Sequence, residues 1–188
     1  MSNVRPHKMN NSAPSPAVKF LDRALAQLPR GVDPTLLILK THLVVEEALN
    51  EVLTQCLHNP EHLFRARLSF SQRLKVLQAL APYRAFHDLA EAIELLNSVR
   101  NTLAHQLAPS KHVDLIPKFI EVTIRASRES PDLVELATHW HSTQEVSHRA
   151  DENDACKSQS TDLEVATLLL VMLCYYEIET VSFGAHEA

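Results

Sequence analysis

The stretch that decides the fold reads FHDLAEAIELLNSVRNTLAHQL, residues 86–107. Its apolar residues recur every three or four positions, the spacing of one face of an α-helix. These residues are Phe86, Leu89, Ile93, Leu96, Val99, Leu103 and Leu107. We therefore predict a helix over about 83–105, with this face buried and with Pro109 ending the helical run.

The same spacing recurs on both sides of this stretch. Further helices are predicted over about 16–28, 34–57, 69–80, 112–127, 131–140 and 160–176. Only two glycines occur, so the tight left-handed turns that β-hairpins and phosphate-cradling loops require are scarce. The sequence predicts an all-α fold, an antiparallel up-and-down helical bundle with additional C-terminal helices.

Length and composition predict a single domain in a reducing compartment. The chain has 188 residues, 45% of them apolar, enough for one sizeable core over 16–188. Residues 1–15 are predicted to be disordered and 147–161 to form a mobile loop, because both stretches are polar and aperiodic. There is no apolar signal segment, and the longest apolar run, 165–176, is shorter than the ~20 residues of a membrane span. We expect a cytoplasmic protein without membrane contact.

The charge pattern leaves two interpretations open. The net charge of −5 gives no overall attraction to nucleic acid. Residues 62–84 nevertheless contain no Asp or Glu and carry Arg65, Arg67, Arg73, Lys75 and Arg84. This basic stretch either contacts RNA phosphates or is a solvated face whose counterions lie on neighbouring helices. Arg73 and Lys75 project about 160° apart on a helix, so at most one of them faces a given site.

The segment from Arg100 to His105 carries the candidate chemistry. The ordinary interpretation is a surface arginine and a histidine favoured by the helix dipole. Positions five apart are rotated by about 140° on a continuous helix, so the two side chains do not share a face. Either the helix ends before His105, or a second subunit supplies the missing group across a two-fold axis.

Arg-Asn-x-x-Ala-His at 100–105 resembles the Arg-x(4–6)-His signature of the HEPN superfamily. The stretches LKTHLVVEEALNEVLTQCL at 39–57 and SFSQRLKVLQAL at 69–80 are similar to the preceding helices of uncharacterised bacterial HEPN-like and mannitol-repressor-like proteins. The resemblance spans roughly residues 35–108.

The resemblance implies a metal-independent endoribonuclease that acts as a homodimer on RNA and needs no cofactor. Arg100 would hold the scissile phosphate, His105 would transfer protons, and Asn101 would orient the phosphate or His105. Such an enzyme could serve as a toxin or phage-defence effector restrained by an antitoxin or regulatory protein.

Glu46 is a candidate support for this site. It is predicted to lie with His42 near the apolar face of its helix, beside Leu39, where a carboxylate needs a partner. Pairing with Arg100 would fix the guanidinium. A Glu46 that reaches solvent or pairs with His42 is the alternative, and Glu47 takes its place if the helix is phased differently.

Two other functions remain open at this stage. One is a non-catalytic HEPN-like or mannitol-repressor-like regulatory or protein-interaction module, favoured by the acidic net charge. The other is a structural helical bundle whose Arg100 and His105 are surface residues.

Overall fold

The computed structural model describes residues 16–28, 33–80, 85–105, 114–128 and 154–184. Seven helices account for these ranges: α1 (Pro16–Gln27), α2 (Pro34–Cys56), α3 (Pro60–Arg65), α4 (Phe70–Leu80), α5 (Ala85–His105), α6 (Leu115–Ala126) and α7 (Asp154–Gly184). No strand occurs in the described ranges. The predicted all-α bundle is confirmed.

Local sequence explains where two of the central helices begin. The Asp33 carboxylate accepts a hydrogen bond from the Thr35 backbone N–H at 3.1 Å, and Pro34 occupies the first turn, so α2 starts as predicted. At α4, the Gln72 side chain accepts from the Ser69 backbone N–H at 2.9 Å, while the Ser69 hydroxyl accepts from the Gln72 N–H at 3.4 Å. This reciprocal pair satisfies backbone donors that a helix start leaves without partners.

The core is built around α7. Every position from Ala166 to Cys174 is buried, so this helix is covered on all sides over more than two turns. It packs against α1, α2, α5 and α6. Other helices of the same chain therefore bury α7.

The predicted face of α5 is confirmed where it is described. Phe86, Leu89, Ile93, Leu96 and Val99 are all buried, and Leu103 is half-buried against the core. The helix runs antiparallel to α6, because Arg125 near the end of α6 pairs with Glu91 and lies 3.7 Å from Asp88 near the start of α5. These two ion pairs therefore hold one edge of α5 against α6.

Three predicted boundaries are corrected. The six-residue α3 was not predicted, since one and a half turns are too short to show a period. α7 begins at Asp154, inside the stretch predicted to be a mobile loop, and it continues past Tyr176 to Gly184. The predictions for 1–15, 131–140 and 147–153 lie outside the described residues.

None of the helices described above combines the length and the apolar character that crossing a membrane requires.

Candidate functional site

A polar cluster lies where α2, α4 and α5 meet, with buried His42 at its centre, half-buried Asn97 beside it and exposed Ser71 at its edge. The imidazole is only 6% exposed and stacks on the Phe70 ring with 4.3 Å between centroids. Its Nε2 lies 3.2 Å from the Asn97 Oδ1, and the Asn97 Nδ2 donates to the Ser71 hydroxyl at 3.2 Å. Because an amide oxygen only accepts, His42 donates through a protonated Nε2. One chain of hydrogen bonds thus joins the three helices.

The surroundings keep His42 neutral. Burial lowers the pKa of His42, because a charged imidazolium loses its hydration inside the protein. The hydrogen bond to Asn97 and the negative charge of Glu46 raise the pKa, whereas the positive charge of Arg100 lowers it. The effects that lower the pKa of His42 outweigh those that raise it. His42 therefore suits a role in packing and hydrogen bonding within the cluster.

Arg73 ties α4 to α2 beside this cluster. Its guanidinium donates to the Asn50 Oδ1 at 2.6 Å, to the Glu46 Oε1 at 2.7 Å and to the Leu68 carbonyl at 3.1 Å. The Arg73 and Glu46 side chains are 18% and 31% exposed. An arginine held in this way stabilises the contact between helices. If Arg73 contacts an RNA phosphate as proposed, it must do so through the two guanidinium N–H groups that these three bonds do not use.

The proposed pairing of Glu46 with Arg100 is corrected, since the ion-pair partner of Glu46 is Arg73. The prediction of which α2 residues face the core was also partly wrong. Leu39 is 36% exposed and lies away from the core face, whereas His42 is buried as expected. The fallback residue, Glu47, pairs with Arg23 of α1 at 2.5 Å between the charged atoms. Glu46 thus supports the site only through Arg73 and through its charge near His42.

Arg100 and Asn101 are joined directly. The Arg100 guanidinium donates to the Asn101 Oδ1 at 3.0 Å, and both side chains are half-buried. Arg100 lies one turn after Asn97, so it adjoins the His42 cluster. A phosphate held by Arg100 would therefore contact the protein at the edge of that cluster.

α5 remains helical through His105, so the proposed ending of the helix before His105 is wrong. The register puts position 105 on the face of Glu94 and Ser98, both exposed, about 140° from Arg100. Asn101, four residues before His105, falls between the two directions. The structure thus brings Arg100 and Asn101 together and directs position 105 to another face of the same helix.

Lys75 is exposed on α4, away from the Arg73 contacts, as the helical spacing predicted. Sequence reasoning missed Asn97 and Ser71 as members of the cluster and Asn50 as a partner of Arg73. A signal for Asn97 was present, because it is three residues before Arg100 and so shares its side of the helix. Ser71 and Asn50 carried no such signal.

An apolar stripe crosses the outer face of α2 next to the cluster. Leu36, Leu39 and Leu43 are 41%, 36% and 55% exposed, and their spacing puts them on one side of the helix. Leu43 directly follows His42 in the chain. Large aliphatic side chains exposed in a row are typical of surfaces that contact another protein.

Within the described ranges, no group of three or more His, Cys, Asp or Glu side chains is arranged to hold a metal ion. Fold and site together define an all-α helical bundle in which a buried histidine is hydrogen-bonded to a half-buried asparagine beside an arginine. Comparison of the chain with protein-family models, with curated proteins and with solved structures finds no match.

Proposed function

We propose that the chain is a metal-independent endoribonuclease of the HEPN type that works as a homodimer. The observation that carries this proposal is the Arg100–Asn101 hydrogen bond on a helix that continues to His105. This bond presents a guanidinium and an amide side by side. A histidine follows one turn after the amide, on a face that a second copy of the chain could cover.

The chemistry follows from these three groups. The RNA 2′-hydroxyl attacks the neighbouring phosphorus, and His105 accepts its proton. Arg100 donates hydrogen bonds to the phosphate oxygens, whose negative charge grows as the new bond forms. The 5′-oxygen leaves with a proton returned by the histidine, and the products carry a 2′,3′-cyclic phosphate and a 5′-hydroxyl. Asn101 orients the phosphate.

A dimer could bring an Arg100 and a His105 together, which the helix of one copy cannot do. Arg100 and position 105 diverge by about 140° within a copy, so each site takes Arg100 from one copy and His105 from the other. The stripe of Leu36, Leu39 and Leu43 offers apolar surface next to the cluster for this association. The basic side chains of the described α3–α4 region, with Lys75 exposed among them, favour RNA as the substrate.

The test is cleavage of RNA in EDTA by the wild type, Arg100→Ala and His105→Ala. We expect cleavage by the wild type alone, with cyclic phosphate ends. His87→Ala is the matched control, because His87 is an exposed histidine of the same helix, and this variant should cleave like the wild type. Equal inertness of the wild type and both site variants would reject the ribonuclease.

Mixing the two inactive variants tests the shared site. After subunit exchange, a heterodimer of Arg100→Ala and His105→Ala contains one site with both groups intact. Roughly a quarter of the wild-type rate should return, because about half of the dimers are mixed and each has one working site. A mixture that stays inactive, while exchange is shown by differently tagged copies, would contradict a composite site.

The exposed leucine stripe also favours a second function, a non-catalytic regulatory module that binds a partner protein. In that case neither wild type nor variants cleave RNA, and substitutions in the stripe are the ones that abolish activity in the cell. An antitoxin or other regulator is the partner expected if the chain is a restrained toxin.

A further inference from the structure

An open cleft of about 130 Å³ lies where α3 and the turn after it meet α2 and α4. It is lined by Asn50, Leu63, Phe64, Arg67, Leu68 and Arg73. Phe64 is 39% exposed, although its ring is large and apolar. The walls thus combine an accessible aromatic ring with two guanidinium groups and an amide, the side chains with which proteins hold unpaired bases and phosphates.

One side of the cleft is rigid. Arg73 is fixed by its bonds to Asn50, Glu46 and Leu68, yet its guanidinium has two further N–H groups. The Asn50 Oδ1 accepts from Arg73, so the Asn50 Nδ2 is the available donor. Groups already held in position lose little conformational entropy when a ligand arrives.

The other side carries a charge without a counterion. In the described part of the chain, the Arg67 guanidinium has no ion-pair or hydrogen-bond partner, and Arg67 is the one non-glycine residue with positive φ, at 51°. Its backbone N–H donates to the Phe64 carbonyl at 3.1 Å, which holds the turn in this left-handed conformation. Such strained residues cluster at binding sites. The turn thus presents Arg67 beside the Phe64 ring.

The cleft and the His42 cluster both include residues of α2. Asn50 and His42 are two turns apart on α2, about 12 Å along the helix axis. Glu46, between them, is neutralised by Arg73, and residues 62–84 add no acidic side chain. Glu47, the other carboxylate of α2 between His42 and Asn50, is paired with Arg23, so no unpaired carboxylate lies between these two positions on α2.

We infer that this cleft binds one nucleotide of a single-stranded RNA. The base stacks on Phe64, its phosphate pairs with Arg67, and the Asn50 amide donates to an acceptor on the base edge. The inference rests on the proposed function only in taking RNA as the ligand.

The experiment measures binding apart from cleavage. Full-length His105→Ala protein serves as the parent, and fluorescence anisotropy follows its binding to a short labelled single-stranded RNA of mixed sequence. Phe64→Ala and Arg67→Gly should each weaken binding about tenfold. Glycine adopts the left-handed turn freely, so Arg67→Gly removes the charge and keeps the fold. This variant should also flatten the dependence of log Kd on log salt by about one unit.

Two controls separate the cleft from general charge and hydrophobicity. Phe64→Tyr keeps an aromatic face, and Arg128→Ala removes an exposed charge at the end of α6; both should bind like the parent. Unchanged binding in Phe64→Ala and Arg67→Gly, with unchanged circular dichroism, would overturn the inference. So would a parent that does not bind RNA.

Cleavage by the otherwise wild-type chain is scored separately. If the chain cleaves RNA and the cleft variants bind RNA like the parent, the cleft inference is rejected and the ribonuclease proposal stands. If the cleft variants bind RNA more weakly but the chain does not cleave RNA, the cleft inference stands and the ribonuclease proposal is rejected.

Discussion

Replacing Arg73 with methionine should lower the stability of the fold by about 2–3 kcal/mol, since the change keeps the apolar stem and removes every guanidinium contact. Three hydrogen bonds are lost, and Glu46 is left without its cation. Breaking a buried ion pair costs about 3–5 kcal/mol and breaking an exposed pair at most about 1 kcal/mol. With side chains 18% and 31% exposed, this pair lies between these limits.

Urea unfolding followed by circular dichroism measures this loss. With a slope of about 2 kcal/mol per molar, the midpoint should fall by about 1–1.5 M. Arg125→Met is the matched control, because both side chains of the Arg125–Glu91 pair are 36% exposed, and its midpoint should fall by less than about 0.5 M. In a double-mutant cycle with Glu46→Gln, the two losses should be less than additive. Equal midpoints for Arg73→Met and Arg125→Met would refute the reasoning.

Three further outcomes are expected. The folded-state pKa of His42 lies below its unfolded value, so the unfolded chain takes up the proton first and stability falls as the pH drops below ~6.5. His42→Gln should lose less between about pH 7.5 and pH 5.5, and an identical pH dependence would contradict the burial of His42. Burial raises the pKa of Cys174 to about 12, so iodoacetamide at about pH 8 should label exposed Cys56 in the native protein and Cys174 only after unfolding. Peptide mass spectrometry distinguishes the two thiols, and native labelling of both at one rate would refute the prediction. If the proposed dimer forms through the leucine stripe, Leu43→Glu should give a monomer by light scattering, whereas Leu80→Glu, at an exposed leucine of α4, should not; a dimer in both would remove the stripe from the interface.

The buried face of α5 was predictable because burial on one side of a helix imposes its own period on the sequence. The start of α2 was predictable because capping is local: Asp33 and Pro34 act within one turn. By contrast, the first turns of α7 lack an apolar period, so their helical state could not be distinguished from a polar loop.

The partner of Glu46 lay beyond sequence reasoning. Arg73 and Arg100 were both available, and the choice depends on how α4 crosses α2, which is a property of the packed structure. The same crossing brings Phe70 to His42, and the packing of α4 against α5 brings Ser71 to Asn97. Sequence alone proposed Arg100, Asn101 and His105 as site residues of α5, and only the packing shows that Asn97, one turn before Arg100, is hydrogen-bonded to His42.

The central position of α7 has a consequence for how the chain reaches its native state. The faces of α1 and α2 that α7 covers are synthesised first, and α3, α4, α5 and α6 follow before their partner appears. Closing so long a loop is entropically unfavourable and slows folding. Until then, aliphatic side chains of the N-terminal helices stay in contact with water, and a ribosome-bound chaperone would find its binding surface there.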